Sequence, residues 1–117
     1  MAVYQRHIVE VPFNLTQRVE NHPAIVLSTT EAIEHEEAFI AVMMTSTKMD
    51  DEYTWLFDKS MLESGRLDKS YVEVRLHLIS YFKISDIIHN SYTGTRMRLL
   101  DFNSLVARIN RVAFGQK

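Results

Sequence analysis

Seven side chains in this 117-residue sequence have the types and spacing to do chemistry: Arg18, His22, Thr45, Ser46, Glu73, Arg75 and His77. Arginine and histidine together suit phosphate chemistry. A guanidinium stabilises negative charge on a phosphoryl group, and an imidazole moves protons near neutral pH. A threonine hydroxyl adds an oriented donor. Such a set can cleave RNA with the substrate's own 2′-hydroxyl as nucleophile, because that reaction needs only a base, an acid and charge stabilisation. Plainer readings stand beside this one. His22 precedes Pro23 and fits a loop, and Thr45-Ser46 fits a strand end closed by side-chain-to-backbone bonds. The five histidines include no pair at i, i+2 or i, i+4, so their spacing gives no metal site. No Gly-rich phosphate loop, HExxH or GxSxG motif is present. The expectation is a site without metal or cofactor.

Three of the seven residues lie in one stretch, Ser70-Tyr-Val-Glu-Val-Arg-Leu-His-Leu-Ile79. Val72, Val74, Leu76 and Leu78 alternate with Glu73, Arg75 and His77, the pattern of a half-buried strand. Its polar face would carry an acid, a guanidinium and an imidazole about 7 Å apart. The same pattern describes the solvated face of an antiparallel sheet.

Other strands are expected at His7–Phe13, ending near Pro12, at Ala24–Leu27, at Ala38–Met44 and at Thr54–Phe57, with Trp55 and Phe57 on one face. Asn14 to Asn21 is polar and suggests a loop. Ser28 to Glu36 offers N-cap residues ahead of glutamates, which suits a turn or two of helix. Ser64-Gly65 is a turn, Ile84–Ile88 a turn or short helical segment, and the 89–98 segment a last short strand. Asp101 can cap a final helix in which Phe102, Leu105, Val106, Ile109, Val112 and Ala113 share a face, with Gly115 at its stop. No βαβ rhythm or repeat is present. Residues 1–117 are expected to form a single α+β domain, a curved sheet or small barrel of short strands packed by one helix.

Composition limits the partners. Lys and Arg number 13 against 15 Asp and Glu, so no global basic field points to nucleic acid. Arg96, Arg98, Arg108 and Arg111 nevertheless crowd the C-terminal quarter, and Glu31, Glu34, Glu36 and Glu37 crowd one short segment. The absence of cysteine removes thiol catalysis, thiolate zinc sites and disulfides. With neither a signal-like run nor a membrane span, a cytoplasmic protein free of the membrane is expected.

The ordered motifs resemble the MazF/PemK (Kid) toxins of type II toxin–antitoxin systems. The resemblance rests on Ile8-Val-Glu-Val-Pro-Phe13, a polar loop, His22-Pro-Ala-Ile-Val-Leu-Ser28, Ala41-Val-Met-Met-Thr-Ser46, Gly65-Arg-Leu-Asp-Lys-Ser-Tyr-Val72 and the final helix, across roughly residues 6–114. It implies an SH3-like β-barrel of five to seven short, mostly antiparallel strands with a C-terminal helix, usually homodimeric. It further implies a growth-inhibiting, metal-independent endoribonuclease that cuts single-stranded RNA. Such toxins are neutralised by a cognate antitoxin, here expected to dock an acidic, partly disordered C-terminal segment.

The family's usual catalytic arginine falls on His22, unless Arg18 replaces it, and its threonine on Thr45. The family's Arg-x-Asp pair falls on Glu73 and Arg75 without a gap, or on Arg75 and His77 with a two-residue insertion. Both registers keep one strand face. Arg75 is the preferred charge stabiliser, with His77 as acid or base and Arg18, Ser46 and Glu73 as substrate-binding candidates. Arg6-His7 stands where the family usually has Gly-Asp or Gly-Glu. Two alternatives stay open on the same scaffold: a non-enzymatic toxin of the CcdB type, which traps DNA gyrase, and an inactive interaction module.

Overall fold

The computed structural model describes residues 2–88 and 92–116. Within them the chain runs β1 (Ile8–Asn14), β2 (Val19–Val26), α1 (Thr30–Glu36), β3 (Ala38–Thr45), β4 (Thr54–Phe57), β5 (Leu62–Ser64), β6 (Val72–Lys83), β7 (Arg96–Met97) and α2 (Leu99–Phe114). Five strands pair antiparallel in the order β1-β2-β3-β6-β4, and β5 pairs with β7. The two sheets meet where Ile8 N–H donates to Thr95 O at 3.0 Å and Met97 N–H to Arg6 O at 3.0 Å. A 3₁₀ turn at Lys59–Met61 leads from β4 directly into β5. The strands therefore curl into a small, largely antiparallel barrel with a C-terminal helix, the α+β architecture expected.

The sheet is buried on both faces. One core packs Ile8, Ile25, Val42, Met44, Val74 and Leu76 against Phe102, Leu105 and Ile109 of α2. The other gathers Val11, Phe13, Val26, Phe39 and Phe82 around Ile33 of α1. Ala38–Met44 is a continuous apolar run for this reason: β3 is central and meets a core on each side. Thr29 caps α1 by accepting from Ala32 N–H at 3.2 Å, and Gly115 ends α2 at φ 68°. No described helix is long and apolar enough to cross a membrane.

Four local expectations are corrected. The alternation of β6 breaks at Leu78, which is 36% exposed. Val42 of β3 faces Ile79 while Met44 faces Val74, so β6 carries extra residues in a bulge. The bulge reverses which parity faces α2, and Ile79 takes the place the pattern assigned to Leu78. Glu73, expected on a wet face, is fully buried. β2 begins at Val19, so His22 lies in a strand and the polar loop shrinks to four residues, 15–18. Asp101 sits inside the first turn of α2, with Arg98 at the cap position.

Pro23 is tolerated within β2 because of its register. It faces Glu10, whose carbonyl turns away from β2 to accept from Ile88 N–H at 2.9 Å. The pair therefore exchanges no hydrogen bonds with each other, and the missing proline donor points toward β3. Pairing between β2 and β3 has already ended at Ala24 and Met43, so no ladder bond is lost. The sequence also gave no separate sign of β5. Of the expected 89–98 strand, only Arg96–Met97 is extended in a sheet, and residues 89–91 lie outside the described residues.

Candidate functional site

The β1–β2 hairpin builds the first part of the site. Leu15 and Arg18 exchange backbone hydrogen bonds at 2.8 and 3.3 Å, which closes the turn tightly. Arg18, Glu20 and His22 then follow at two-residue spacing, and side chains at that spacing share a strand face. Glu20 bridges the other two. Its Oε2 lies 2.6 Å from Arg18 Nε, and its Oε1 lies 2.6 Å from His22 Nε2. The hydrogen bond from Arg18, followed by that from His22, holds the Glu20 carboxyl below the usual carboxylate range. The His22 ring is 13% exposed and meets Phe13 edge-on at 6.2 Å between centroids. With Nε2 engaged by Glu20, Nδ1 has no hydrogen-bond partner among the described residues.

His22 opens onto a cleft of about 290 Å³. One wall comes from the strands, with Glu10, Glu20, His22, Thr45 and Ser46. The other comes from Leu67, Asp68 and Lys69 before β6, from Val72 at its start and from Tyr92. Thr45 is buried at the end of β3, where its Oγ1 accepts from Thr47 N–H at 3.1 Å and turns the chain out of the sheet. Ser46 is exposed. Gly65 lets the segment before β6 pack directly on Thr95. Its φ is 77°, and a Cβ there would run into the hydroxyl and backbone of Thr95.

The structure thus gathers His22, Thr45 and Ser46 in one cleft and links Arg18 to it through Glu20. Glu73, Arg75 and His77 are not among that cleft's lining. The Arg75 guanidinium forks onto Asp51 with bonds of 2.9 and 3.1 Å and also donates to Thr54 Oγ1 at 2.8 Å. This grip, led by the Arg75 hydrogen bond, pulls the Asp51 carboxyl down to about 2. Glu73 accepts from Met49 N–H at 3.2 Å on each oxygen, from Thr54 Oγ1 at 3.3 Å and from the Tyr71 hydroxyl. Its acceptance of the phenolic hydrogen bond is the main reason Tyr71 is pushed up to about 12. His77 is exposed and lies beside Tyr53, with ring centroids 5.9 Å apart. The polar side of β6 therefore fastens residues 49–54, downstream of Thr45 and Ser46.

Glu10, Glu20, Asp68, Lys69 and Tyr92 line the cleft but were not among the sequence-derived candidates. Glu20 becomes visible once His22 is placed in a strand, two positions on. Asp68 and Lys69 lie within the motif Gly65–Val72, whose turn character was legible while its direction was not. Nothing in the sequence connects Tyr92 to His22. Among the described residues, no group of three or more His, Asp or Glu stands close enough together to hold a metal ion.

No family model matches the sequence, and no curated protein does. Solved structures do match in fold. A MazF from Deinococcus radiodurans superposes with a TM-score of 0.71 at 13% identity, covering 99% of each chain. An endoribonuclease in complex with its cognate antitoxin from a mycobacterial species gives 0.70 at 16% identity, covering 99% of this chain and 98% of that one. The Mycobacterium tuberculosis toxin MazF-mt6 gives 0.65 at 12% identity, covering 93% and 98%. The chain has the MazF fold over nearly its whole length.

Proposed function

We propose that this protein is a growth-inhibiting toxin that cleaves single-stranded RNA without a metal, and that the Glu20–His22 pair beside Thr45 is its catalytic centre. The observation that carries this reading is the 2.6 Å contact between Glu20 Oε1 and His22 Nε2, two residues that line the cleft. With a proton on Nε2 donated to Glu20, the lone pair on Nδ1 is available to a substrate. Glu20 fixes that tautomer and steadies the imidazolium that forms, as the orienting acid of a triad does. His22 Nδ1 takes the 2′-hydroxyl proton, the 2′-oxygen attacks the adjacent phosphorus, and the bond to O5′ breaks. The products are a 2′,3′-cyclic phosphate and a 5′-hydroxyl, the latter protonated by the imidazolium or by water. Hydroxyls of Thr45 and Ser46 donate to the phosphoryl oxygens, and Lys69 adds positive charge on the facing wall.

In this reading Arg75 is a positioning residue. Its fork is filled by Asp51, and it steadies residues 49–54 instead of meeting phosphate. The fold neighbours include an endoribonuclease bound to its cognate antitoxin and MazE–MazF complexes. We accordingly assign this chain an antitoxin partner with an acidic C-terminal segment, a homodimeric state and a cytoplasmic site of action.

The test is cleavage of a single-stranded RNA in EDTA, with the 3′ ends of the products analysed. Wild type should leave cyclic phosphate, and His22→Ala should lower kcat at least about a hundredfold, the scale of a general base. Glu20→Gln should lower kcat without weakening RNA affinity. Activity that requires a divalent ion, or that survives in His22→Ala, sinks the mechanism. Toxicity with intact RNA and damaged DNA would favour a CcdB-type action.

A further inference from the structure

The catalytic cleft does not end at His22. It shares Glu10, Asp68 and Tyr92 with a second hollow of about 590 Å³ that continues past Gly65 and Arg66. Those three shared residues form the junction. Glu10 stands on β1 opposite Pro23, the neighbour of His22, and Asp68 comes from the segment before β6. Neither carboxylate has a donor or cation partner among the described residues. Both line the hollow together with Tyr92, whose phenol is pushed up by burial and then by the charges of Asp68 and Glu10. Tyr92 itself is held at φ 56°, a backbone setting that tyrosine rarely adopts, with its carbonyl accepting from Thr95 N–H at 3.0 Å.

An aromatic ring beside two carboxylates with no partner among the described residues is poorly suited to a phosphate backbone. It suits a base. Single-stranded RNA is read by splaying a base onto an aromatic side chain and hydrogen-bonding its Watson–Crick edge. A carboxylate can only accept. Guanine offers two parallel N–H donors on that edge, N1–H and N2–H, matching both oxygens of one carboxylate. Cytosine and adenine each offer an amino group. Uracil offers one N–H between two carbonyls, which a carboxylate repels.

We propose that the junction of Glu10, Asp68 and Tyr92 is a base-reading subsite beside the scissile phosphate, selecting guanine first, cytosine and adenine next, and uracil last. This rests on the single-stranded RNA reading above and gives it a specificity. Arg66 and Lys69, on the same wall, hold the phosphates on either side of the seated base.

The test uses 2′-deoxy heptamers, which bind without being cut, carrying a central guanine, cytosine, adenine or uracil in a uniform uracil background. Fluorescence anisotropy should rank them in that order, with guanine at least about tenfold tighter than uracil, the discrimination a good two-bond contact gives. Glu10→Gln or Asp68→Asn, whichever residue holds the edge, should reduce that ratio below threefold. Tyr92→Phe should keep the ratio, and Tyr92→Ala should weaken every heptamer. Equal affinities, no binding, or a ratio unchanged in both carboxylate variants would overturn the subsite. Discrimination without RNA cleavage by the wild type would support the subsite and remove the nuclease reading. Cleavage without discrimination would do the reverse.

Discussion

Replacing Glu73 by glutamine separates a role in binding RNA from a role in holding the fold. The side chain is fully buried, and all its hydrogen bonds are received: from Met49 N–H at 3.2 Å, Thr54 Oγ1 at 3.3 Å and the Tyr71 hydroxyl. Glutamine keeps the shape and one acceptor oxygen, which can still serve Met49 and Thr54. Its amide NH₂ then faces Tyr71, whose hydroxyl must turn to accept. One hydrogen bond to a charged group is exchanged for a weaker one, a loss of about 2 kcal/mol. Alanine removes every acceptor, strands the Met49 N–H and leaves a cavity, for a loss of about 4 kcal/mol. Equilibrium urea unfolding should place the variants in that order. At a temperature where Glu73→Gln is folded, its KM for RNA should stay within about threefold of wild type, because the carboxylate does not face the cleft. A variant as stable as wild type but ten times weaker for RNA would refute the argument and return Glu73 to the substrate site.

Three further outcomes follow from other parts of the structure. The Asp51 carboxyl is depressed to about 2 from an ordinary value of 3.8, so its grip on Arg75 contributes stability above pH 4 and loses it as pH falls toward 2. The stability advantage of wild type over Asp51→Asn should therefore be full at pH 5 and vanish near pH 2 in denaturation series; a gap that persists at pH 2 contradicts this. Gly65→Ala should cost about 3 kcal/mol, combining a left-handed backbone with a collision at Thr95. Adding Thr95→Ala should not restore thermal stability, since the collision includes Thr95 backbone, and recovery in the double variant would show the clash to be with the side chain alone. Finally, Arg18 is already paired with Glu20, leaving Arg66 and Lys69 as the unpaired cations of the groove among the described residues. Two phosphate contacts on a single strand give a slope of about −1.4 in log affinity against log salt, measurable by anisotropy; a slope near −4 would mean a larger basic surface.

What the sequence made legible was what local pattern decides. The apolar run Ala38–Met44 announced a strand, and the spacing from Phe102 to Ala113 announced a helix with one apolar side. Thr29 and Gly115 are caps for reasons that depend only on their own backbone positions. The illegible parts depend on distant segments. Alternation through Leu78 cannot register a bulge, because the bulge is defined by the spacing of partners on β3. Glu73 looked solvated because its cover comes from Tyr71 and from the loop after β3, which no periodicity in β6 describes. His22 looked like loop because a hairpin projecting beyond its sheet has little apolar surface to bury. The cleft draws on β1, β2, β3, the segment before β6 and Tyr92, so only two of its corners, His22 and Thr45-Ser46, were recognisable one at a time.

In the proposed mechanism, His22 in place of the arginine that the family resemblance implies has a consequence for the rest of the cleft. An arginine there would bring a permanent charge toward the scissile phosphate and would need a separate base. A histidine supplies the base but brings charge only after it has taken the proton. Glu20 makes that step easier, since it favours the imidazolium, yet it adds a negative charge close to where the phosphoryl group must sit. Arg18 resolves the conflict. Bound to the other oxygen of Glu20 at 2.6 Å, it offsets the carboxylate without displacing it from His22. Arg18 is largely exposed, so its pairing is cheaply broken and screened by salt. The three-residue relay then behaves as one unit: removing Arg18 should resemble strengthening Glu20, raising repulsion toward phosphate while leaving the base intact. That places the expected effect of Arg18→Ala in KM and not in kcat, the opposite split from Glu20→Gln, and the two variants together distinguish a relay from three independent surface charges.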